Sequence, residues 1–309
     1  MKPARALLCL ALLAAAGQAH ADATGAEFLL QDMDAHVMAQ GGAAVARPHD
    51  LNGLRANPAG LAGIPGPRAA FTHLSAFGEW DHDWLAGALP WGRNSLGLEI
   101  LSSRLKSFTY YDDSSQAAGN INAGSLQGAL GFAHAFSTSA LGLNFRLFRG
   151  QVAEYSNWGM AADLGGQWQP AQWLSLGASV QHLGAQTAYY AKSDPLPALG
   201  RVGAQTQGQL HEDLGVGFAV EFLQSVDPGR GAELHLGGQL ELFKKASLRF
   251  GGQMQDRAWS PTLGLGFKLG GLELSYAFRP IETLGSDHVI TLNLQDLGSL
   301  FPDEPAAKK

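Results

Sequence analysis

The most suggestive chemical grouping in the sequence is the segment 80–84, Trp-Asp-His-Asp-Trp, in which two carboxylates flank one imidazole. Carboxylates beside a histidine could serve as general acids and bases in hydrolysis, or hold a metal ion. In an extended chain, however, His82 would point away from both Asp81 and Asp83, because successive side chains alternate between faces. We therefore interpret this segment as a solvated external loop.

Other catalytic signatures do not appear. The ten histidines show neither an H-E-x-x-H motif nor another paired spacing. The pair Gly264 and Gly266 lies within a strand pattern and opens no helix, and the sequence contains no G-x-S-x-G motif. The sequence predicts that the protein is not an enzyme and has no metal or other cofactor.

A second group of ionisable residues lies on the polar face of segments that alternate in polarity. We predict that they line the inside of a barrel: Arg146, Glu221, Glu233, Glu241, Arg249 and Lys268. Such residues could tune a permeation path, since substitutions in a barrel lumen alter selectivity. They could equally neutralise one another around a plug, and the sequence leaves both interpretations open.

These residues belong to a long region of period-two alternation, from about residue 68 to residue 297. In one segment Leu141, Leu143, Phe145 and Leu147 form one face, and the residues between them form a polar or small face. Fourteen such runs occur, at about 68–78, 82–92, 95–108, 124–137, 139–152, 157–169, 172–184, 197–210, 213–224, 231–243, 246–256, 261–270, 271–281 and 286–297.

The length of these runs favours a membrane barrel over a soluble β-sandwich or β-propeller. Globular strands usually have about five or six residues, whereas a tilted strand that crosses a bilayer needs about nine to eleven. The connections also alternate between short turns and longer loops, as in bacterial outer-membrane barrels. We predict an all-β transmembrane antiparallel barrel of about fourteen strands over residues 68–297, surrounded by outer-membrane lipid, with both termini in the periplasm.

The first 21 residues predict a cleavable signal peptide. Lys2 and Arg5 precede an apolar run from Ala6 to Ala16, and Ala19-His20-Ala21 fits a cleavage site. Cleavage would remove Cys9, the one cysteine, and leave 19 basic and 27 acidic residues. This excess of negative charge disfavours nucleic acid as a partner.

Aromatic residues near the ends of the predicted strands suit the girdles that mark the two membrane interfaces. These residues are Trp80, Trp84, Trp91, Tyr110, Tyr111, Trp158, Trp168, Trp173 and Trp259.

Residues 22–67 do not alternate. A short helical pattern is broken at Gly41 and Gly42, and Asn57, Pro58, Ala59 and Gly60 form a turn in which proline fixes φ and glycine frees it. Such a segment could hang in the periplasm or fold into the lumen. Its mixture of apolar residues with turn residues favours an ordered plug.

Two parts of the sequence resemble one family. The order Gly-Ala-Glu-Phe-Leu-Leu (25–30), Gln-Gly-Gly-Ala (40–43) and Asn-Pro-Ala-Gly-Leu (57–61) is similar to the opening of PorV/PorQ-type barrels, which belong to the FadL-like long-chain fatty-acid transporters. Residues 263–280 are similar to the penultimate hairpin of that family. The resemblance implies a fourteen-stranded barrel with an N-terminal plug. The chain departs from the family pattern in lacking the arginine that usually precedes Gly-Gly-Ala, and in continuing past residue 297 with a predicted periplasmic tail, 298–309.

The resemblance implies two functions from different classes. The first is passive uptake of hydrophobic small molecules, such as fatty acids, across the outer membrane. The alternative is a barrel that transports nothing and binds secreted proteins in a secretion system, as PorV does in type IX secretion. A purely structural barrel is a third possibility.

Overall fold

The computed structural model describes residues 24–106, 108–111, 114–190, 193–225, 230–256, 258–281 and 285–295. The predicted signal peptide 1–21 and the predicted tail 298–309 lie outside these residues, as do both chain ends. None of the described helices is long and apolar enough to cross a membrane.

Fourteen antiparallel strands close into a barrel, which confirms the predicted fold and strand number. In chain order the strands are β1 (Arg68–Ala76), β2 (Trp80–Trp91), β3 (Asn94–Leu105), β4 (Phe108–Tyr111), β5 (Ala117–Ile121), β6 (Ala123–Ala135), β7 (Ser139–Val152), β8 (Tyr155–Ala171), β9 (Leu174–Gln186), β10 (Leu199–His211), β11 (Leu214–Ser225), β12 (Glu233–Leu242), β13 (Ala246–Gln255), β14 (Ala258–Leu269), β15 (Leu272–Ile281) and β16 (Gly285–Leu294). Strands β4 and β5 form a separate hairpin, so β3 pairs with β6, and β16 pairs with β1 to close the barrel.

The interpretation of residues 80–84 as a loop is wrong, because β2 begins at Trp80. The expected alternation does hold: His82 is buried on the inner face, whereas Asp83 is on the outer face. There Asp83 Oδ1 lies 2.8 Å from His73 Nδ1, and Asp83 Oδ2 accepts a hydrogen bond from Arg104 Nη2 at 2.7 Å. No group of three or more potential metal ligands occurs among the described residues.

The two ends of the barrel differ. One end, the short-turn end, carries the brief connections that follow β2, β6, β8, β10, β12 and β14. The other, the long-loop end, carries the long connections 106–122, 187–198 and 226–232. The alternation of loop lengths is only partial, since β1 and β2 are joined at the long-loop end by residues 77–79 and β7 and β8 by residues 153–154.

The outer surface of the barrel is apolar. On β7, Leu141, Leu143, Phe145 and Leu147 are 47–59 % exposed, whereas the intervening Asn144 and Arg146 are buried. The same pattern recurs around the barrel, so the apolar side chains form a continuous belt. Lipid solvates such a belt, and a closed barrel leaves no strand edge unpaired within the bilayer. On most strands the polar or small face therefore points into the lumen.

Residues 24–67, called here the N-terminal segment, contact this inner face. The segment contains one short helix, α1 (Ala35–Ala39), and three 3-10 turns at Glu27–Leu30, Leu51–Leu54 and Pro58–Leu61. Gly25 N–H donates to Pro195 O at the long-loop end, and the segment joins β1 at the short-turn end. It therefore runs through the length of the lumen.

Candidate functional site

Glycines on the inner faces of the strands leave room for the N-terminal segment. A Cβ at Gly142 would lie 2.3 Å from the carbonyl carbon of Pro58, and one at Gly177 would lie 2.1 Å from Val45 O. Any side chain at these positions would collide with the backbone of the segment. Similar close approaches to the segment occur at Gly165, Gly237, Gly251 and Gly264. The inner wall of the barrel is therefore shaped around the segment.

Gly41 and Gly42, predicted as plug residues, form the turn after α1. Both have positive φ, +67° and +81°, which glycine adopts without the strain that other residues incur. A Cβ at Gly41 would also lie 2.5 Å from Gly252 O of β13. This turn thus places the backbone of the segment directly against the wall.

The predicted turn at Asn57–Gly60 lies against β7 and β8. Asn57 is buried, and its Nδ2 donates to Val45 O at 2.7 Å and to Gly166 O of β8 at 3.1 Å. Its Oδ1 accepts from Ala59 N–H at 3.1 Å and so caps the 3-10 turn that Pro58 begins. A Cβ at Gly60 would lie 2.8 Å from Arg47 O. All six predicted plug residues therefore lie in the lumen.

Wall side chains also bind the backbone of the segment. The carboxylate of Glu221 accepts from Ala44 N–H at 2.6 Å and from Val45 N–H at 2.8 Å. Side chains of other strands satisfy further backbone groups of the segment; they are Arg146, Gln167, Ser179, Gln181, Thr262 and Thr291. Because a buried backbone group left unpaired is costly, these contacts hold the segment in one position.

A buried charge network joins the segment to β2, β3 and β7. Glu99 on β3 is 1 % exposed. It accepts hydrogen bonds from Trp84 Nε1 at 2.7 Å, from Arg55 Nη1 of the segment at 3.2 Å and from Arg146 Nη1. The prediction that Trp84 belongs to a membrane-interface girdle is therefore wrong, since its indole is fully buried inside the barrel.

Each of the six predicted lumen residues lies on the inner side and next to an opposite charge. Arg146 pairs with Glu99 and with Asp163 at 3.5 Å, Glu221 with Arg201, and Arg249 with Glu273 at 2.6 Å. Glu233 pairs with Arg230 at 2.7 Å, and Lys268 pairs with Glu241 at 3.3 Å. These pairs agree with the interpretation that the charges neutralise one another around a plug. An effect of the six residues on permeation stays a prediction.

The predicted set contains both members of one pair, Glu241 and Lys268, but lacks Glu99, Asp163, Arg201 and Glu273. These four side chains lie on inner faces and are buried. Each occupies a polar position in an alternating run. The sequence alone does not show which of these charged side chains pair across the lumen.

A cluster of ionisable side chains lies within the segment, on the side of the short-turn end. Arg47 donates to Asp50, with 2.5 Å between Nε and Oδ2, and its two terminal nitrogens lie 2.6 and 2.9 Å from the ring nitrogens of His36. Burial, together with the positive charges of Arg249 and Arg47, holds the pKa of His36 well below its ordinary value of 6.5. Burial alone would raise the pKa of Asp50, but the charge of Arg47 outweighs it and lowers that pKa.

Two cavities lie on opposite sides of the segment. One, of about 510 Å³, is at the short-turn end. The other, of about 320 Å³, is at the long-loop end. Both have many charged lining residues, including Arg47, Arg68, Glu241 and Lys268 in the first and Asp32, Arg55, Arg201 and Arg279 in the second. The segment therefore separates two polar chambers.

The interior has one apolar side. Buried side chains of the segment pack here against strands β1, β2, β3, β15 and β16. The cluster includes Met33, Met38, Leu54 and Leu61 of the segment and Leu74, Trp84 and Leu101 of the wall. A smaller apolar group lies toward the long-loop end, where Phe28 meets Phe148 of β7 edge to face with ring centroids 5.6 Å apart. A hydrophobic solute would find its contacts on this side of the lumen.

Several solved structures resemble this barrel over nearly its whole length. The toluene transporter TbuX of Ralstonia pickettii superposes with a TM-score of 0.62 at 14 % identity, over 86 % of this chain and 99 % of that one. The toluene transporter TodX of Pseudomonas putida gives a TM-score of 0.63 at 13 % identity, over 86 % and 99 %. A FadL homologue of Pseudomonas aeruginosa gives 0.51 at 11 % identity, over 84 % and 97 %.

The chain shares its fold with these toluene transporters and with the FadL homologue. No family model matches the sequence, and neither does any curated protein, so the likeness is one of structure. The FadL homologue among these neighbours agrees with the broader resemblance in the sequence. The narrower resemblance to the PorV/PorQ type has no counterpart among them.

Proposed function

We propose that this protein is a passive outer-membrane channel for small hydrophobic molecules and that its N-terminal segment acts as the plug. The observation that carries the proposal is the full-length likeness to two toluene transporters, combined with a segment that runs through the lumen. The apolar belt on the outer surface supports a location in the outer membrane.

The position of the segment indicates how such a channel would work. With the segment in place, the two polar chambers are separated and the apolar side of the lumen is fully packed. A solute can cross only after part of the segment moves. Movement would uncover apolar side chains of β1–β3, and these would favour a hydrophobic solute over a hydrophilic one.

The alternative, a barrel that binds secreted proteins, has no observation in its favour. Two of the neighbours named above are toluene transporters and the third is a FadL homologue. Transport is therefore the function that the structure supports best.

The proposal is tested by expressing the full chain in a Gram-negative host that lacks its own channel for hydrophobic compounds. Uptake of radiolabelled toluene and of a long-chain fatty acid should rise above the host background, whereas entry of a hydrophilic dye should not. Unchanged uptake of both hydrophobic solutes would contradict transport. Entry of the dye would indicate an unselective pore instead.

A further inference from the structure

The first turn of the N-terminal segment, Glu27–Leu30, holds an aromatic side chain against the barrel wall. The ring of Phe28 meets that of Phe148 of β7 edge to face, with ring centroids 5.6 Å apart and ring planes at 74°. Phe148 is 1 % exposed, and its ring covers Gly159 of β8, where an added Cβ would lie 2.1 Å from Phe148 Cζ. The wall therefore presents a fixed aromatic ring to a ring carried by the segment.

The other neighbours of this pair are apolar as well. Phe28 is partly buried and packs against a cluster made of Ala26, Leu29, Phe148, Ala161 and Leu196. Ala161 lies on the inner face of β8, and Leu196 belongs to the connection 187–198 at the long-loop end; both are buried. The side chains of this cluster contain no polar atom, so it favours an apolar ring.

The side chain of phenylalanine is a benzyl group, and toluene is the same group with one more hydrogen. A free monocyclic aromatic molecule in the place of the Phe28 ring would bury the same kind of surface and keep the edge-to-face contact with Phe148. Apolar contact is therefore conserved in such an exchange. Its cost falls on the bonds that hold the turn.

The turn is held by few and long bonds. Gln127 Nε2 donates to Phe28 O at 3.3 Å, and Arg55 Nη2 donates to Leu29 O at 3.3 Å. Ala26, which precedes the turn, has a positive φ of 56°, a conformation that costs free energy for a residue other than glycine. Displacement of the turn would release this strain.

Space for such a displacement lies next to the turn. Leu29 and Leu30 line the cavity of about 320 Å³ at the long-loop end. The turn can move toward this cavity without breaking the contacts that the later part of the segment makes with the wall.

We propose that Phe28 occupies a binding site for a monocyclic aromatic hydrocarbon, which takes the place of the Phe28 ring beside Phe148 when it enters from the long-loop end. The proposal rests on the proposed transport function and names the substrate class of the channel. Phe28 is then a positioning residue of the closed state, and Phe148 contacts the solute.

The test measures binding of fluorobenzene, and of fluorocyclohexane as a non-aromatic ring of similar size, to the purified full-length protein in detergent. Fluorine NMR spectroscopy reads the saturable binding above the linear partition into the micelles. Phe28→Ala should bind fluorobenzene at least about tenfold more tightly than the wild type, because no ring has to be displaced. This variant should prefer fluorobenzene over fluorocyclohexane by about two- to tenfold, which is the contribution of an edge-to-face contact.

Two further variants make the outcome decisive. Phe145→Ala removes a lipid-facing ring from the same strand, so it should bind both compounds as the wild type does. Phe28→Ala/Phe148→Leu keeps an apolar site without an aromatic partner, so it should bind the two compounds equally. Equal binding of fluorobenzene by the wild type and Phe28→Ala, the same gain in Phe145→Ala, or an aromatic preference that survives Phe148→Leu would overturn the proposal.

Binding to the purified protein needs no transport, so the two proposals fail separately. Saturable binding with the predicted preference, but without uptake of toluene by cells, would contradict the transport function alone. Uptake of toluene without the predicted gain in Phe28→Ala would overturn the aromatic site alone.

Discussion

At the scale of single residues, Glu99 is the acceptor on which the central charge network depends. It serves Trp84, Arg55 and Arg146 together, and all three donors are buried. Glu99→Ala should lower the free energy of unfolding by about 3–5 kcal/mol, because Arg55 loses its carboxylate partner and Arg146 keeps only the longer contact with Asp163. Denaturant unfolding of the protein in detergent micelles measures this loss.

The matched control is Glu241→Gln, at the partly exposed pair with Lys268. An ion pair of this kind contributes at most about 1 kcal/mol, so the unfolding curve should hardly move. Similar losses of unfolding free energy in the two variants would show that the Glu99 network contributes no more than an exposed ion pair.

His36 gives the segment a dependence on pH. Its pKa in the folded protein lies well below the ordinary value of 6.5, so below that pH the undocked segment binds a proton that the docked segment does not. The docked state should therefore weaken as the pH falls below 6.5 and should be strongest above it. Single-channel recordings should show more frequent openings at about pH 5.5 than at pH 7.5.

The His36→Gln variant provides the comparison for this effect, since glutamine does not titrate in this range. Its opening frequency should be nearly the same at both pH values. A variant with the full pH response of the wild type would assign the response to a group other than His36.

The orientation of a side chain is predictable where alternation alone decides it. The inward positions of Arg146, Glu221 and Arg249 follow from the period-two pattern, as do the opposite orientations of His82 and Asp83. Trp84 was assigned to the wrong place because an aromatic residue near a strand end fits both a girdle and a buried hydrogen-bond donor. Only Glu99, on the neighbouring strand, distinguishes the two.

At the scale of the elements, the inner glycines are the feature that fixes the segment against the strands. Gly177→Val should push the segment away from β9, because the new Cβ would lie 2.1 Å from Val45 O. We expect a higher open probability in planar bilayers and faster entry of small solutes.

Gly208→Val is the matched control on the adjacent strand β10, since a Cβ there meets nothing within 4 Å. Its conductance should equal that of the wild type. If both valine variants open the channel, the effect comes from strand backbone rather than from contact with the segment.

The strands themselves were predictable because each buries one face and exposes the other to lipid. Two features interrupted that pattern. At Gln181 and His182 of β9 two consecutive residues are buried, where the register between β8 and β9 shifts and His182 N–H donates to Asp163 Oδ1 at 2.8 Å. The β4–β5 hairpin falls almost entirely between the runs predicted at 95–108 and 124–137, because strands of four and five residues are too short to show the long alternation of the barrel strands.

At the scale of the whole molecule, the N-terminal segment contacts the inner wall of the barrel along the length of the lumen. The closed wall follows from local alternation, whereas the path of the segment depends on contacts between residues more than a hundred positions apart, such as Ala39 with Thr262. No local pattern encodes such contacts. The turn residues Asn57 and Gly41 indicated an ordered segment, but not where it would lie in the lumen.

Transport of a hydrophobic solute requires that the segment, which lies in the lumen, move out of the path. A disulfide between segment and wall would prevent this movement. A Cβ at Gly264 of β14 would lie 2.5 Å from the Ala39 Cβ, and bridged Cβ atoms are about 3.5–4.5 Å apart, so a small shift admits the bond. The one natural cysteine, Cys9, lies in the predicted signal peptide.

The measurement is toluene uptake by cells that express Ala39→Cys/Gly264→Cys, with and without a reductant, beside the single variant Gly264→Cys, which has the same added side chain in the wall. We predict that the oxidised double variant takes up toluene at the host background rate. Reductant should restore it to the rate of the single variant. Equal uptake by the oxidised and reduced forms would contradict a gating role for the segment.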